Sequence, residues 1–300
     1  MQLTKALRPS DTIGFASPSA LVTREKFAPI LEAACSLGFR VKAADTLYAH
    51  GWGYAATPEE RAAGINQLIL DDEVKLIFFS GGEGSEDVLP LIDWEAAKAH
   101  PKRWASYSDG TSILNTVRQR ADVITYYGQM PGLLPKMSDY NLAQFRSFLM
   151  SDALPAEHVP NSPWHTLTGG VAEGELIGGY LENFIFIQGN GWVKPDPAKQ
   201  YVLFIEDHEK FYAMEHESAL IGRLEQSAIM PQVTGLLFGH YSAPVNEQLL
   251  QRLRIFGEKH GIPVCYCDDF GHGENHAILP IGARARLDAD AQKLYYTERA

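Results

Sequence analysis

The stretch Ala105–Thr111, of sequence ASYSDGT, decides how this chain is interpreted. An apolar strand pattern runs into it, and the helical pattern of Ile113, Leu114 and Val117 follows it. A strand that turns sharply into a helix at Ser108 has the geometry of a nucleophile elbow, which lifts the hydroxyl out of the sheet. The helix N-terminus then directs its N–H groups at any negative charge that develops there. Ser is also a common helix cap, and the segment taken alone favours that simpler role.

Composition and charge limit the class of protein. The chain has 300 residues, of which 45% are hydrophobic and 21% are charged, as in an ordinary globular protein of one large or two smaller domains. The net charge of −11 argues against a nucleic-acid polymer as partner. The chain shows no apolar run of signal-peptide length at its start, and no apolar stretch long enough for a membrane span. We therefore expect a soluble, cytoplasmic protein with no membrane partner.

The cysteines favour a structural role. Their odd number, with Cys35, Cys265 and Cys267, argues against a disulfide framework. Cys265 and Cys267 alternate as in a strand, which places both sulfurs on one face, and His272 and His276 follow nearby. A metal site would need further ligands at suitable spacing. We expect two core cysteines in a buried strand, with no metal and no cofactor.

The first half of the chain alternates between strand and helix patterns. The predicted strands are Thr12–Ala16, Phe39–Val41, Lys75–Phe79, Trp104–Tyr107 and Val123–Tyr126. This alternation predicts an α/β fold, with a parallel sheet of the Rossmann or flavodoxin-like type over residues 1–150. Ligands bind at the carboxyl ends of such strands, so Gly81-Gly82 and Ser108 are expected to share one edge of the sheet.

A second domain of mixed β/α type is expected over residues 174–300. Prolines and glycines crowd the interval before it, and residues 151–173 are interpreted as an inter-domain linker. The predicted elements after it are the strands Tyr201–Ile205, Val233–Phe238, Pro263–Tyr266, Ala277–Leu279, Arg284–Leu287 and Leu294–Tyr296, with helices over Glu217–Glu225 and through Leu249–Phe256.

Two residues of the second half have side chains suited to acid–base chemistry. Glu206 ends a predicted strand, where a ligand can reach a carboxylate, although a turn residue is the simpler interpretation. His272 lies in a predicted loop, Asp268–Gly273, between two glycines, which suits a base but also an ordinary turn. Ser108, Glu206 and His272 follow one another in an order that catalytic triads permit.

The chemistry of a triad requires these residue types together. A Ser hydroxyl is a poor nucleophile unless a neutral imidazole takes its proton, and the resulting imidazolium is stabilised by a carboxylate. The tetrahedral oxyanion needs preformed donors, and the loss of one costs roughly 3 kcal/mol of barrier. The backbone N–H groups of Gly82 and Asp109 are candidates for those donors, while a tight turn is the alternative role for Gly81-Gly82.

Several motifs together resemble the LD-carboxypeptidase family, which includes the microcin C immunity peptidases. They are Phe79–Gly82 (FSGG), Leu89–Asp93 (LPLID), Tyr107–Thr111 (YSDGT), Leu203–Asp207 (LFIED), Gly271-His272, and Leu279–Gly282 (LPIG). Each motif is weak by itself, but their joint order and spacing are specific. The resemblance extends from Ile13 to Asp288, nearly the whole chain.

The resemblance implies a serine peptidase with Ser108 as nucleophile, Glu206 as orienting acid and His272 as base. It also implies an N-terminal nucleophile domain, a C-terminal domain that supplies acid and base, and an active site in the cleft between them. Typical members cleave the amide before a terminal D-alanine in cytosolic muropeptides, as part of peptidoglycan recycling. Immunity members release an aminoacyl group from a nucleotide-like toxin. Homodimers are usual in the family, and no metal is required.

Departures from the family pattern leave the substrate open. Glu83 stands where many members have Tyr, and Ser106 stands where the elbow usually begins with Gly. Tyr127 begins a segment close to the Tyr-Gly-Pro of the immunity branch, and Tyr180 replaces the Asn of Gly-Gly-Asn-Leu. Glu83, Tyr127 and Tyr180 are therefore candidate substrate contacts, although a solvated turn carboxylate and a core tyrosine are simpler roles for Glu83 and Tyr180.

Three functions follow for comparison. The first is a serine carboxypeptidase acting on a small peptide with a D-amino-acid terminus. The second is an immunity-type peptidase for aminoacyl-nucleotide conjugates, with Trp164 and Trp192 as candidates to stack on a base, or simply to pack. The third is a catalytically silent binding protein on the same fold. A thiol or metal enzyme built on Cys265 and Cys267 is the most distant alternative.

Overall fold

The structure is a computed structural model, and it describes residues 1–51 and 56–297. The chain forms two compact units, Met1–Ala153 and Leu154–Ala300. Within the described residues, no helix has both the length and the apolar character needed to cross a membrane.

The first unit alternates strands with helices. Its strands are β1 (Thr12–Ala16), β2 (Arg40–Ala43), β3 (Val74–Phe79), β4 (Arg103–Ser106) and β5 (Thr125–Tyr127), and its helices are α1 (Arg24–Ser36), α2 (Pro58–Leu70), α3 (Trp94–Ala99), α4 (Thr111–Ala121) and α5 (Asp139–Leu149).

These five strands form a parallel sheet in the order β5-β4-β3-β1-β2. All residues of β3 except Lys75 are buried, as is typical of a strand in the middle of a parallel sheet. The carboxyl ends of β3 and β4 lie side by side, because Phe78 is in register with Ala105. The parallel α/β sheet predicted for this part of the chain is confirmed.

Helix α2 begins with a complete capping box. Thr57 accepts a hydrogen bond from the Glu60 N–H, and the Glu60 side chain accepts one from the Thr57 N–H. Pro58 occupies the first helical position, where its missing N–H costs nothing. This start fixes the first turn of the helix and with it the buried side chain of Arg61.

The second unit contains a mixed sheet. Its strands are β6 (Trp164–Thr168), β7 (Val171–Tyr180), β8 (Tyr201–Glu206), β9 (Val233–His240), β10 (Val264–Gly271), β11 (Leu279–Ile281), β12 (Arg284–Asp288) and β13 (Lys293–Thr297), and its helices are α6 (Leu181–Gly189), α7 (Met214–Leu224) and α8 (Glu247–His260). Seven strands have the order β13-β12-β7-β8-β9-β10-β6. The four from β7 to β10 are parallel, while β6, β12 and β13 pair antiparallel. The mixed β/α architecture expected here is confirmed.

The interval 151–173, which the sequence analysis interprets as a linker, contains strand structure. Trp164–Thr168 form β6, which pairs with β10, and β7 already begins at Val171. The prolines and glycines that indicated a linker lie on either side of β6, so they mark its ends rather than an unstructured connection.

Strand β10 is longer than predicted. The predicted loop Asp268–Gly273 is wrong in its first part, because Asp268–Gly271 continue the strand and His272 follows its last residue directly. Two aspartates in a strand are unusual, and here side-chain hydrogen bonds hold them, as between Asp268 and the ring of His240 at 2.7 Å. Cys265 and Cys267 are buried in β10 as expected, and burial raises the pKa of the Cys265 thiol to about 12.

Candidate active site

Ser108 lies at a sharp turn between β4 and α4. It begins a short 3₁₀ turn, Ser108–Gly110, and its φ of +59° is in the left-handed region. A non-glycine residue there stores roughly 1–3 kcal/mol of strain, which persists only when the surrounding structure holds it. This strained turn from strand to helix has the geometry expected of a nucleophile elbow.

Close packing and hydrogen bonds hold the turn. The Ser108 N–H donates to the Tyr127 hydroxyl at 3.0 Å, and the Thr111 hydroxyl donates to the Ser108 carbonyl at 2.7 Å. A Cβ at Gly110 would lie 2.3 Å from Oγ of Ser106, so this position requires glycine. Ser106 itself is fully buried and donates to the Phe79 carbonyl at 2.9 Å. The sheet therefore accommodates Ser106, although the family usually has glycine there.

The helix-cap alternative for Ser108 does not hold. The N-cap position before the 3₁₀ turn belongs to Tyr107 and the one before α4 to Gly110, and neither makes a side-chain cap hydrogen bond. Ser108 is thus inside the turn rather than in front of it.

The loop after β3, residues Gly81–Gly84, is called the glycine loop, and it lies beside this turn as the sequence predicts. A Cβ at Gly81 would lie 3.4 Å from Cβ of Ser108. Gly82 has a φ of +158°, and a Cβ there would lie 2.6 Å from Oγ of Ser19. Only glycine therefore permits this loop to approach both Ser19 and the elbow.

Two anchors hold the glycine loop, and the sequence analysis identified neither. The buried Arg61 guanidinium donates to the carbonyls of Pro18 and Gly84 and to the carboxylate of Asp87. On the other side, the Ser85 N–H donates to the Asp109 carboxylate at 3.1 Å, and the Ser85 hydroxyl donates to the Asp109 carbonyl at 2.7 Å. The loop is thus joined to the end of β1 by Arg61 and to the elbow by Ser85.

In the second unit, Glu206 and His272 form a hydrogen-bonded pair. Glu206 is the last residue of β8 and fully buried, and its Oε2 lies 2.8 Å from Nδ1 of His272. Gly271, with a φ of +103°, gives the chain room to pass, because a Cβ there would lie 3.0 Å from the same Oε2. The pairing orients the imidazole and fixes Nδ1 as the nitrogen that faces the carboxylate.

Opposing effects determine the pKa of His272. Burial alone would lower it, but the negative charge of Glu206 and its hydrogen bond outweigh burial, so the pKa of His272 is raised above its ordinary value. Asp207 adds to the rise and Lys210 opposes it. This environment stabilises the protonated ring, as a general base requires after it has accepted a proton.

Aromatic rings surround His272. The ring of Tyr180 lies 5.4 Å from it and the ring of Phe211 lies 5.3 Å from it, both edge to face, and the ring of His208 lies at 6.0 Å. Tyr180 is buried, whereas 58% of Phe211 is exposed to solvent. An exposed phenylalanine beside the half-buried His272 is a candidate substrate contact, and its sequence neighbours contain no motif that would have indicated it.

Asp207 and Glu217 form a buried acidic pair behind this cluster. Burial raises the pKa of both carboxyl groups, and the charge of Asp207 raises the pKa of Glu217 further. Glu217 therefore keeps its proton more readily than an ordinary glutamic acid. The Tyr180 hydroxyl also donates to Asp207.

The remaining candidates lie in varied environments. Glu83 is exposed, which agrees with a solvated turn carboxylate. Tyr127 is fully buried and supports the elbow through Ser108, so its position does not resemble a substrate contact. Trp164 is mostly buried and its indole N–H donates to Asp269 at 2.8 Å, which agrees with packing.

Over 1–51 and 56–297, no group of three or more His, Cys, Asp or Glu side chains has an arrangement that could hold a metal ion.

The fold and these groups define the class of protein, an α/β peptidase. Residues 13–128 match the family model of the LD-carboxypeptidase N-terminal domain, and residues 173–287 match that of the LD-carboxypeptidase C-terminal domain. The chain belongs to the LD-carboxypeptidase family.

Some similar proteins are named as carboxypeptidases and others as immunity proteins. The chain is 30% identical to a probable murein peptide carboxypeptidase of Bacillus subtilis, over 95% of this chain and 91% of the relative. It is 26% identical to the microcin C7 self-immunity protein MccF of Escherichia coli, over 99% of this chain and 96% of the relative. Among solved structures, MccF in complex with glutamyl sulfamoyl guanosine has the same fold, with a TM-score of 0.85 and 23% identity over 99% of this chain and 98% of that one.

Proposed function

We propose that this protein is a serine carboxypeptidase of the murein tetrapeptide type, which hydrolyses the amide bond before the D-amino-acid terminus of a small peptide. Ser108 is its nucleophile, His272 its general base and Glu206 the acid that orients the base. The observation that carries the proposal is the 2.8 Å hydrogen bond between the buried Glu206 and Nδ1 of His272, because it is the arrangement that makes an imidazole an effective base.

In the proposed mechanism, Oγ of Ser108 attacks the scissile carbonyl carbon while Nε2 of His272 takes the hydroxyl proton. Glu206 accepts the hydrogen bond from Nδ1–H and stabilises the imidazolium. The backbone N–H groups of Gly82 and Asp109 donate to the oxyanion, in line with the close approach of the glycine loop to the elbow. When the tetrahedral intermediate collapses, the C–N bond breaks and the leaving amine takes the proton from His272.

The resulting ester between Ser108 and the acyl group is then hydrolysed. Water attacks the ester carbonyl while His272 takes one of its protons, and the second intermediate expels Oγ of Ser108, which recovers that proton. The products are the shortened peptide and a free D-amino acid. Apart from the substrate and water, every group that takes part in these steps is a side chain or a backbone N–H of this chain. No cofactor is part of the proposal.

A second candidate function is an immunity-type peptidase that cleaves aminoacyl-nucleotide conjugates. Two observations favour it: the similarity to MccF over 99% of this chain, and the exposed ring of Phe211 at 5.3 Å from His272. An exposed aromatic ring offers a surface on which a nucleobase can stack. The same serine, base and acid would act on the amide between the aminoacyl group and the nucleotide analogue.

Hydrolysis of two substrates distinguishes these functions. Wild-type protein and Ser108→Ala are incubated with a muropeptide tetrapeptide ending in D-alanine, and separately with an aminoacyl sulfamoyl adenosine. Release of D-alanine by the wild type alone supports the first function, and release of the amino acid from the nucleoside supports the second. If the wild type cleaves neither, both proposals fail and a silent binding protein becomes the better account.

The oligomeric state and cellular location belong to the same proposal. By resemblance we propose a cytoplasmic homodimer. Light scattering of the purified protein at micromolar concentration tests the dimer, for which the expected mass is twice the 33.2 kDa of one chain.

A further inference from the structure

Tyr180 occupies a position next to the acid of the proposed triad. It is the last residue of β7 and lies in register with Glu206, the last residue of the neighbouring strand β8. Gly178 of β7 has a φ of +148°, and a Cβ there would lie 1.7 Å from the Phe204 carbonyl oxygen of β8. Glycine at this position therefore lets β7 pair with β8 as far as Tyr180 and Glu206.

The side chain of Tyr180 makes contacts on several sides. Its ring edge packs against the imidazole of His272, with ring centres 5.4 Å apart and an interplanar angle of 66°. Its hydroxyl donates to the carboxylate of Asp207. A third contact, with the ring of Phe211 at 6.4 Å, covers another part of it. Only 8% of the residue is exposed, so the ring has little freedom to move.

Asp207 is itself held firmly. Its Oδ1 accepts a hydrogen bond from the His208 N–H at 2.7 Å, and its carboxyl group acts electrostatically on the buried carboxyl group of Glu217, which belongs to α7. Asp207 also follows Glu206 directly in the chain. The phenol of Tyr180 is thus attached to a buried carboxyl group that a backbone N–H holds in place.

These contacts matter because one hydrogen bond leaves an imidazole some rotational freedom. Glu206 fixes Nδ1 of His272 but does not by itself prevent the ring from tilting about that bond. The Tyr180 ring contacts the imidazole in an edge-to-face arrangement, so it opposes such a tilt. The charged and titratable groups that act on His272 are Glu206, Asp207, Lys210 and His208. The rings of His208 and Phe211 also neighbour the imidazole, and Tyr180 is the one that lies in register with Glu206.

We propose that Tyr180 is a positioning residue for His272: its ring holds the imidazole on Glu206, and its hydroxyl, bound to Asp207, holds the ring. In this chain the tyrosine takes the place of the asparagine usual in the family. The inference rests on the proposed function for its effect on catalysis, but the orientation of His272 is a property of the second unit alone.

The test compares Tyr180→Phe and Tyr180→Leu with the wild type. Tyr180→Phe keeps the ring and loses its attachment to Asp207, whereas Tyr180→Leu loses the ring as well. The matched control is Tyr212→Phe, which removes a phenol hydroxyl that donates to another carboxylate, Glu182, and whose ring stacks on His216 instead.

The first readout is the rate at which a fluorophosphonate labels Ser108, measured against pH. We expect a loss of about threefold for Tyr180→Phe and at least about tenfold for Tyr180→Leu, since small displacements of a catalytic group are costly. We also expect the midpoint of the pH profile to move to lower pH, because a looser hydrogen bond to Glu206 raises the pKa of His272 less. Tyr212→Phe should match the wild type in both respects.

The second readout is the titration of His272 by NMR, which does not depend on activity. A lower pKa of His272 in Tyr180→Leu, with Tyr212→Phe unchanged, supports the positioning role even if Ser108 is never labelled, in which case only the proposed function fails. An unchanged His272 titration and unchanged labelling in both Tyr180 variants would overturn the inference, as would an equal effect of Tyr212→Phe. Thermal unfolding of each variant confirms that the comparison is made on folded protein.

Discussion

Nδ1 of His272 and Oε2 of Glu206 lie 2.8 Å apart, although 66 positions separate the two residues in the chain. They meet because β8 ends at Glu206, β10 ends at Gly271, and only β9 stands between these two parallel strands in the sheet. A parallel arrangement places the carboxyl ends of all three strands at the same edge, where a ligand can reach them.

This pairing predicts the pH dependence of the reaction. His272 must be neutral to accept a proton, and its pKa is raised above the ordinary 6.5, so the labelling rate of Ser108 should rise with pH and reach half its maximum above that value. Glu206→Gln should move the midpoint to lower pH and reduce the rate by roughly 10²- to 10⁴-fold. A Glu206→Gln profile with the wild-type midpoint would show that Glu206 does not act on the base.

The elbow predicts a rescue between two neighbours. Gly110→Ala places a methyl group against the side chain of Ser106, so we expect a loss of about 1–3 kcal/mol in the free energy of unfolding and slower labelling of Ser108. Ser106→Gly removes the obstructing atoms, and the double variant should recover most of both losses. Urea denaturation and labelling rates measure this cycle, and purely additive effects would contradict the steric account.

Arg61 provides a test of the glycine loop. Arg61→Ala removes hydrogen bonds to Pro18, Gly84 and Asp87, and the two carbonyls then lose a buried donor. We expect a loss of about 2–4 kcal/mol in unfolding free energy and a fall in kcat of the peptidase with KM nearly unchanged, since the loop carries the Gly82 N–H of the proposed oxyanion hole. Arg61→Lys should recover little, because an ammonium cannot reach several carbonyls as a guanidinium does.

The control for Arg61 is Arg40→Ala, whose side chain is 61% exposed. An exposed ion pair contributes only about 0–1 kcal/mol, so this variant should resemble the wild type. If Arg61→Ala lowered stability while kcat stayed at the wild-type level, the loop would not depend on Arg61 for its catalytic conformation.

The buried acidic pair predicts how stability changes with pH. Burial raises the pKa of Glu217 in the folded state above its ordinary 4.5, so from that pH upward the unfolded chain loses a proton that the folded chain keeps. The free energy of unfolding should therefore fall as pH rises toward the raised pKa. The free energy of unfolding of Glu217→Gln should fall less steeply over the same range. Urea denaturation at pH 5 and pH 9 measures the difference, and parallel pH dependences for the two proteins would contradict it.

Local patterns in the sequence account for much of the fold. Strand β1 was predicted with its observed bounds, Thr12–Ala16, and β3 and β8 to within one residue, because each is a short apolar run closed by turn residues. Helix α6, Leu181–Gly189, was not predicted. Its buried apolar residues Leu181, Phe184 and Ile187 recur at helical spacing, but the continuous apolar run Phe184–Ile187 is also typical of a strand, so the helical period is hidden.

The candidate site likewise contains some features that the local sequence predicts and others that depend on tertiary packing. The turn at Ser108 was predictable because Ser-Asp-Gly between a strand and a helix is a local signal. The contacts of Arg61 with Gly84, of Tyr180 with Asp207 and of Phe211 with His272 were not, because they depend on how strands and loops pack together. The sequence predicts a loop over Asp268–Gly271 because the hydrogen bonds that hold two aspartates in a strand come from residues distant in sequence.

The most direct test of the central claim is covalent labelling of the intact protein by a fluorophosphonate, read by mass spectrometry and peptide mapping. We predict one adduct per chain on Ser108, no adduct in Ser108→Ala, and labelling slowed by at least about 10²-fold in His272→Ala. Labelling of Ser108→Ala at the wild-type rate, or hydrolysis of the tetrapeptide by Ser108→Ala at that rate, would contradict the assignment of Ser108 as the nucleophile.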